Sequence, residues 1–167
     1  PGLLATQRCH CVHRPGANMQ RASGIAPVRE LPARGTNFAL GTDGAASNNR
    51  LGVLSEMRLA SLLAKVATGD SAALPAPTVL RMATLNGAAA LGLDARIGSL
   101  VPGKESDLSA VRLDDIATLP LYDPVSHLIH EAGREHVTEG WLDRERVVEE
   151  RGLIRIDAVA RMSLPRV

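Results

Sequence analysis

The chain reads as an α/β protein: βα units on a parallel sheet, followed by a smaller β-rich module. Three observations predict this. Strand-like and helix-like patterns alternate as β-α-β-α up to Gly92. Phe38, Ala39 and Leu40 are apolar without alternation, as in a strand covered on both faces. Beyond Gly92 the texture changes to short strand-like pieces separated by turns.

The first unit opens with "CHCVH" (Cys9 to His13), a short strand that Pro15 and Gly16 should end in a turn. Ser23 can cap a short helix through Ala26 to Leu31, which Pro32 ends early and Gly35 closes. The second strand is "TNFALGT", Thr36 to Thr42. A long helix follows over Val53 to Lys65. Val53, Met57, Ala60 and Ala64 form its apolar stripe, widened by Leu59, Leu62, Leu63 and Val66. Another helix spans Pro77 to Leu91, with Thr78 in its first turn and Gly92 as its stop. Ile97 to Asp114 then predicts two short strands around a Pro-Gly turn. A helix over Pro124 to Ala132 and the strand-like "HVTEGWL" and "ERVVEE" complete the pattern. The domain boundary falls near residues 92–97, giving segments 1–94 and 95–167, the second ending in a helical tail.

Bulk properties narrow the function. The 167 residues suffice for one ordinary domain, and 45% hydrophobic with 22% charged residues is normal for a globular protein. A net charge of +1, scattered arginines and 2% aromatics argue against nucleic-acid binding. No apolar run approaches the roughly 20 residues that cross a bilayer. Cys9 and Cys11 sit too close in an extended segment to form a structural staple, so a cytoplasmic setting is expected. The sequence starts at Pro1 inside an apolar pattern, which reads as a piece of something longer.

The most informative stretch is "LGTDGAASNN", Leu40 to Asn49. It places Asp43 after an apolar strand and before a helix start. One reading is a turn in which Asp43 bonds its own backbone. The other is a carboxylate at the C-terminal end of a barrel strand, where such enzymes keep their chemistry. There it can ligate zinc at about 2.0–2.2 Å. It can also take a proton from a metal-activated water whose pKa is lowered to about 7. Gly44, Ala45 and Ala46 let the backbone pass close to a ligand, and Ser47, Asn48 and Asn49 offer caps for the next helix. "CHCVH" is a weaker metal candidate. In a strand Cys9, Cys11 and His13 face one side and His10 the other, and structural zinc sites use different spacing.

The wider pattern resembles the amidohydrolase superfamily, specifically its 5′-methylthioadenosine/S-adenosylhomocysteine deaminase branch. That branch carries "VxHxPxSN", "KLASGIAPV" and "GVNVALGTDGAASNN"; here the same stretch reads from Val12 to Asn49. "EMRLASLLAK" from Glu56, "ATLNGAAALGL" from Ala83, "IGSLVPGKESDL" from Ile97 and "DPVSHLIHEAGREHV" from Asp123 continue the match, collinear from about Leu3 to Val137.

The resemblance implies a metal-dependent hydrolase TIM (β/α)8 barrel with a composite β-sandwich built from both chain ends. This chain would supply strands seven and eight with their helices, plus part of the sandwich. Asp43 would be the strand-eight metal ligand and proton carrier. Ser47 would touch the substrate or the helix start, and His13, the "HxP" histidine, would line the outer pocket wall toward substrate. Asn18 matches a loop-fixing asparagine; Glu56 and Arg58 read as structural, paired with neighbouring loops. His127 and His130 read as surface or interface packing. The implied activity is hydrolytic deamination of an adenosine-type nucleoside by a zinc-activated water, with Zn(2+) or another divalent metal as cofactor. The complete enzyme is expected to be a homo-oligomer.

The branch's His-x-His pair, its two further histidines and its glutamate belong to earlier strands and have no counterpart here. The chain alone is therefore expected to be inactive, to hold zinc weakly and to aggregate or oligomerise. Departures include Ala17 for Ser, Gln20-Arg21 for "KL", Pro32 within a helix, Gly52 for Asp, Ser106 for Ala, and "GWLDRERV" without the usual "VWVxG" turn. They allow two rivals: a non-catalytic truncated remnant packed against a partner subunit, or another amidohydrolase acting on guanine, oxoguanine or triazines.

Overall fold

The computed structural model describes residues 2–7 and 9–154. Its first part is a βα arrangement. After a short helix α1 (Gly2–Thr6), strand β1 (His10–His13) leads into α2 (Pro15–Gln20) and α3 (Glu30–Ala33), and then into β2 (Asn37–Leu40). The two strands pair in parallel with His10 opposite Asn37 and His13 opposite Leu40. Between parallel strands the chain must cross over, and the segment holding α2 and α3 does so.

Helix α4 (Val53–Thr68) lies across this pair. It ends where Gly69 adopts φ 63 and returns its N–H to the Lys65 carbonyl, the left-handed stop that glycine tolerates without a Cβ clash. Met57, Ala60 and Ala64 face inward as the periodicity predicts, whereas Leu62 and Val66 are exposed. The buried stripe is rotated toward Glu56 and Ser61, both buried and both hydrogen-bonded. With Val28, Leu31, Phe38, Leu40, Val79, Met82 and Ile129 these helix residues form the main core.

The expected helix over Pro77 to Leu91 is two helices, α5 (Ala76–Ala83) and α6 (Leu85–Ala90). They are separated by Thr84 at φ −119, ψ −95, outside helical space. The break lets Asn86 reach β2: its Nδ2 donates to the Phe38 carbonyl at 3.0 Å, and the Asn86 carbonyl accepts from Asn37. Gly92, at φ 70, ends α6 as expected. Two further expectations are corrected. Pro15 and Gly16 start α2 instead of making only a turn, because proline suits the first helical turn. The helix placed over Ala26 to Leu31 is a single turn at Glu30–Ala33.

The later part is a four-stranded antiparallel sheet in the order β3 (Leu108–Val111), β4 (Val137–Leu142), β5 (Glu145–Glu149), β6 (Gly152–Leu153). Only one of the two strands expected over Ile97 to Asp114 forms. Two tight hairpins, absent from the expectation, turn on Asp143-Arg144 and Glu150-Arg151, all four with positive φ. That is the geometry whose twist suits adjacent antiparallel strands. Helix α7 (Pro124–His130) packs back on α4 and α5, and the Asp123 carboxylate caps it by accepting from the amides of Val125 and Ser126. Of the expected helical tail, residues 155–167 lie outside the described residues, and Gly152–Leu153 are strand.

Among the described residues β2 pairs with β1 alone. Beside it an apolar groove of about 800 Å³ is walled by Leu40, Leu54, Leu80, Ala88, Leu108 and Val111.

Candidate active site

Both parallel strands end at the same level, and the predicted site residues lie there. The Gly41 N–H donates to the His13 carbonyl at 2.9 Å, extending the ladder one step beyond β2. A Cβ on Gly41 would sit 2.9 Å from Val12 Cγ1, so any larger residue would require the Val12 side chain to shift. Immediately afterwards the chain turns sharply, with Asp43 at φ 66, a left-handed conformation that Asp accepts more readily than most residues.

The Asp43 carboxylate is partly exposed, its side chain retaining 24% of its accessible surface. Oδ1 accepts from the Gly44 N–H at 2.8 Å, and Oδ2 accepts from Arg14 Nη1 at 2.7 Å. The Gly44 amide, aided by the Arg14 guanidinium, holds the carboxyl below its usual range. It is therefore ionised at neutral pH. Both readings of "LGTDGAASNN" are visible at once. Asp43 bonds its own turn, and the same turn presents a charged carboxylate at a strand end.

Ser47 lies four residues further on, half-buried, its Oγ donating to the Gly44 carbonyl at 3.3 Å. Ser47 and Asp43 thus share one turn. His13 is placed differently. Its ring is 2% exposed and stacks on Phe38, with centroids 5.6 Å apart and planes inclined at 17°. Among the described residues neither ring nitrogen has a hydrogen-bond partner, and burial pushes its pKa down to about 4.

Beneath this turn lies a polar cluster that the sequence reading did not assemble. Glu56, on the buried face of α4, accepts from the Gly16 amide with Oε2 at 2.8 Å and from Asn48 Nδ2 with Oε1 at 2.8 Å. Asn48, 2% exposed, also donates to the Thr42 carbonyl at 2.7 Å. The available signal was a charged residue inside an apolar helical stripe, beside Met57 and one helical turn before Ala60. Arg14 was likewise unforeseen as the partner of Asp43. Arg58 donates to the Ala132 carbonyl at 3.3 Å, the loop pairing expected of it. His130 bonds Ser61 and Ser126, tying α7 to α4.

For a zinc ion, Asp43 fits as one ligand: an ionised, accessible carboxylate whose Oδ2 is held only by a side chain. Among the described residues no group of three or more His, Cys, Asp or Glu side chains converges to hold a metal. Cys9 and Cys11 are free thiols, and His10 turns from the Cys11 side to bond Asn37. A full ligand set therefore needs residues beyond those described.

Comparison with known proteins bears on the same residues. The model of the amidohydrolase family matches residues 3–146. A 5-methylthioadenosine/S-adenosylhomocysteine deaminase of Syntrophobacter fumaroxidans is 46% identical over 155 residues, 93% of this chain and 35% of that protein. The crystal structure of an adenosine deaminase from Xanthomonas campestris with bound zinc superimposes with a TM-score of 0.93 at 44% identity, over 97% of this chain and 37% of that one. An atrazine chlorohydrolase from Arthrobacter aurescens, complexed with zinc, gives a TM-score of 0.89 at 27% identity, over 97% and 37%. The chain thus spans little more than a third of the proteins it matches. Its two parallel strands and their helices are an α/β portion of a TIM barrel, and the chain belongs to the amidohydrolase family.

Proposed function

We propose that this chain forms the C-terminal part of a hydrolase that deaminates an adenosine-type nucleoside, 5′-methylthioadenosine or S-adenosylhomocysteine. The observation that carries this reading is Asp43: an ionised carboxylate at the end of a parallel strand, in a turn whose sequence matches the deaminase branch. The 46% identity to a deaminase of that name supports the substrate class. The triazine-type alternative is weaker, with 27% identity over the same span.

In the reaction, water adds to C6 of the purine and ammonia leaves, so one proton must move from the attacking water to the departing amine. Asp43 is suited to that transfer. It is ionised at neutral pH and partly exposed at the end of the strand, so it can take up a proton and pass it on. The Gly44 and Arg14 contacts make it a weaker base than a free carboxylate. Zinc, when bound with Asp43 as one ligand, would lower the pKa of that water. Ser47, in the same turn, is the substrate-contacting candidate, and His13 would act from the pocket wall only if its shielded ring edge meets the substrate. The division into barrel part (1–94) and sandwich part (95–167), homo-oligomeric assembly and a cytoplasmic setting belong to the same proposal. No helix among the described residues is long and apolar enough to cross a membrane.

The pairing of β2 with β1 alone, among the described residues, also supports a larger assembly, since a barrel requires each strand to be paired on both edges. The test joins this chain to the remaining part of the Xanthomonas campestris protein and follows ammonia release, with chloride release as the readout for a chlorotriazine. S-adenosylhomocysteine and 5′-methylthioadenosine should release ammonia, guanine should not, and the chlorotriazine should release no chloride. Ammonia from guanine alone or chloride from the chlorotriazine would move the chain to another branch, and neither product from any substrate would favour the non-catalytic remnant.

A further inference from the structure

Glu56 is an unexpected residue in its position. It is 1% exposed, and among the described residues no salt bridge reaches it. Burying a carboxylate without a cation is costly unless hydrogen bonds satisfy it. An apolar side chain would serve helix packing better, so the carboxylate needs another reason to be there.

Its bonds supply one. Oε2 takes the amide of Gly16, two residues beyond Arg14 in the first turn of α2, which follows β1. Oε1 takes one hydrogen of the Asn48 amide, whose other hydrogen goes to the carbonyl of Thr42, the residue before Asp43. Asn48 Oδ1 then accepts from the Arg50 amide at 3.0 Å. One carboxylate on a 16-residue helix thus fastens the ends of both strands. Steric fit repeats the point. A Cβ on Gly16 would overlap Glu56 Oε1 and stand 3.1 Å from Asn48 Nδ2, so Gly16 leaves room for this contact.

We propose that Glu56 and Asn48 are positioning residues that fix the height and angle of the Asp43 turn above the strand ends. The proposal rests on Asp43 being the reacting carboxylate. Neither residue touches substrate: Glu56 acts through Asn48, and Asn48 acts through the Thr42 carbonyl. Partners bonded directly to a metal-binding side chain typically contribute about 10- to 100-fold to affinity or activity, and these two, which reach the backbone beside Asp43, are expected toward the low end of that range.

The test separates holding the fold from holding Asp43. Glu56→Gln puts an NH2 group where a second acceptor stood, and should lower kcat and zinc affinity, the latter read by chelator competition. Glu56→Gln combined with Asn48→Asp re-forms the bond between positions 48 and 56 with donor and acceptor exchanged, and the introduced amide oxygen still accepts from Gly16. The introduced carboxylate at position 48, however, has no hydrogen for Thr42. In the chain joined to the remaining part of the Xanthomonas campestris protein, the double variant should recover most of the lost thermal stability. Its kcat and zinc affinity should stay roughly 10-fold down, with KM changing far less. If the double variant recovers kcat and zinc affinity along with stability, or if Glu56→Gln leaves both unchanged, the positioning role is wrong. A wild type that binds zinc but releases no ammonia would refute the deaminase reading alone, since the zinc series still decides the role of Glu56.

Discussion

His13 offers the sharpest physical prediction. The imidazole is 2% exposed, stacked on Phe38, and among the described residues neither nitrogen has a partner. Its pKa of about 4 in the fold compares with 6.5 for an unperturbed ring. The folded state therefore holds the ring neutral, while the unfolded chain takes up a proton below pH 6.5. Stability from this group is complete above pH 6.5, declines as pH falls from 6.5 to 4, and changes no further below that. Each pH unit inside the window costs about 1.4 kcal/mol, so the total is about 3 kcal/mol. Other groups lose stability in the same direction, among them Asp43 and Glu135, whose carboxyls are held below their usual range. A difference measurement isolates the ring. His13→Phe keeps the stack and removes both unpaired nitrogens. In the chain joined to the remaining part of the Xanthomonas campestris protein, it should be at least as stable as wild type at pH 7, and should lose about 3 kcal/mol less between pH 7 and pH 4 in urea unfolding. The Cε1 proton resonance of His13 should not titrate above about pH 5. A ring titrating near pH 6.5, or identical pH slopes for the two proteins, would show that His13 is not held neutral by burial.

Two structural predictions are simpler. Asp123→Ala removes the cap that accepts from Val125 and Ser126 at 2.9 and 3.4 Å, and should cost about 0.5–2 kcal/mol in urea unfolding. Gly98→Ala should cost more than about 1 kcal/mol on the same measure. Gly98 has φ +85, and a Cβ there would lie 2.7 Å from the Ala88 Cβ and 3.0 Å from Leu85 Cα.

How much was legible in the sequence varied with the physics behind each element. β1, β2 and α4 were readable because their signals are local: an unbroken apolar run, and Met57, Ala60 and Ala64 at helical spacing. The break at Thr84 was not readable. It exists so that Asn86 can bond β2, a contact 48 residues away in sequence. The hairpins on Asp143-Arg144 and Glu150-Arg151 were missed because neither carries the glycine that such turns favour; strand pairing overrides local preference there. At the site, Asp43 stood out from its neighbours' pattern, and the family motif added weight. Arg14 as its partner and the Glu56–Asn48–Thr42 chain depend on which elements meet in space. Spacing puts Glu56 on the apolar stripe, and the loop pairing expected of it is present, but which loop groups it meets could not be read from the helix alone. His13 shows the reverse: a residue suggestive of chemistry is packed against an aromatic ring in the described fold.

The account stands or falls on Asp43, and one substitution addresses it directly. Asp43→Asn preserves size and the acceptor for the Gly44 amide, but removes the charge that would bind metal and accept a proton. In the chain joined to the remaining part of the Xanthomonas campestris protein, ammonia release from S-adenosylhomocysteine should fall by about 10²- to 10⁴-fold from loss of the proton carrier. Bound zinc should drop below one equivalent in the same preparation. Turnover close to wild type with zinc retained would contradict the account, and would leave Asp43 as the residue that shapes a turn and nothing more.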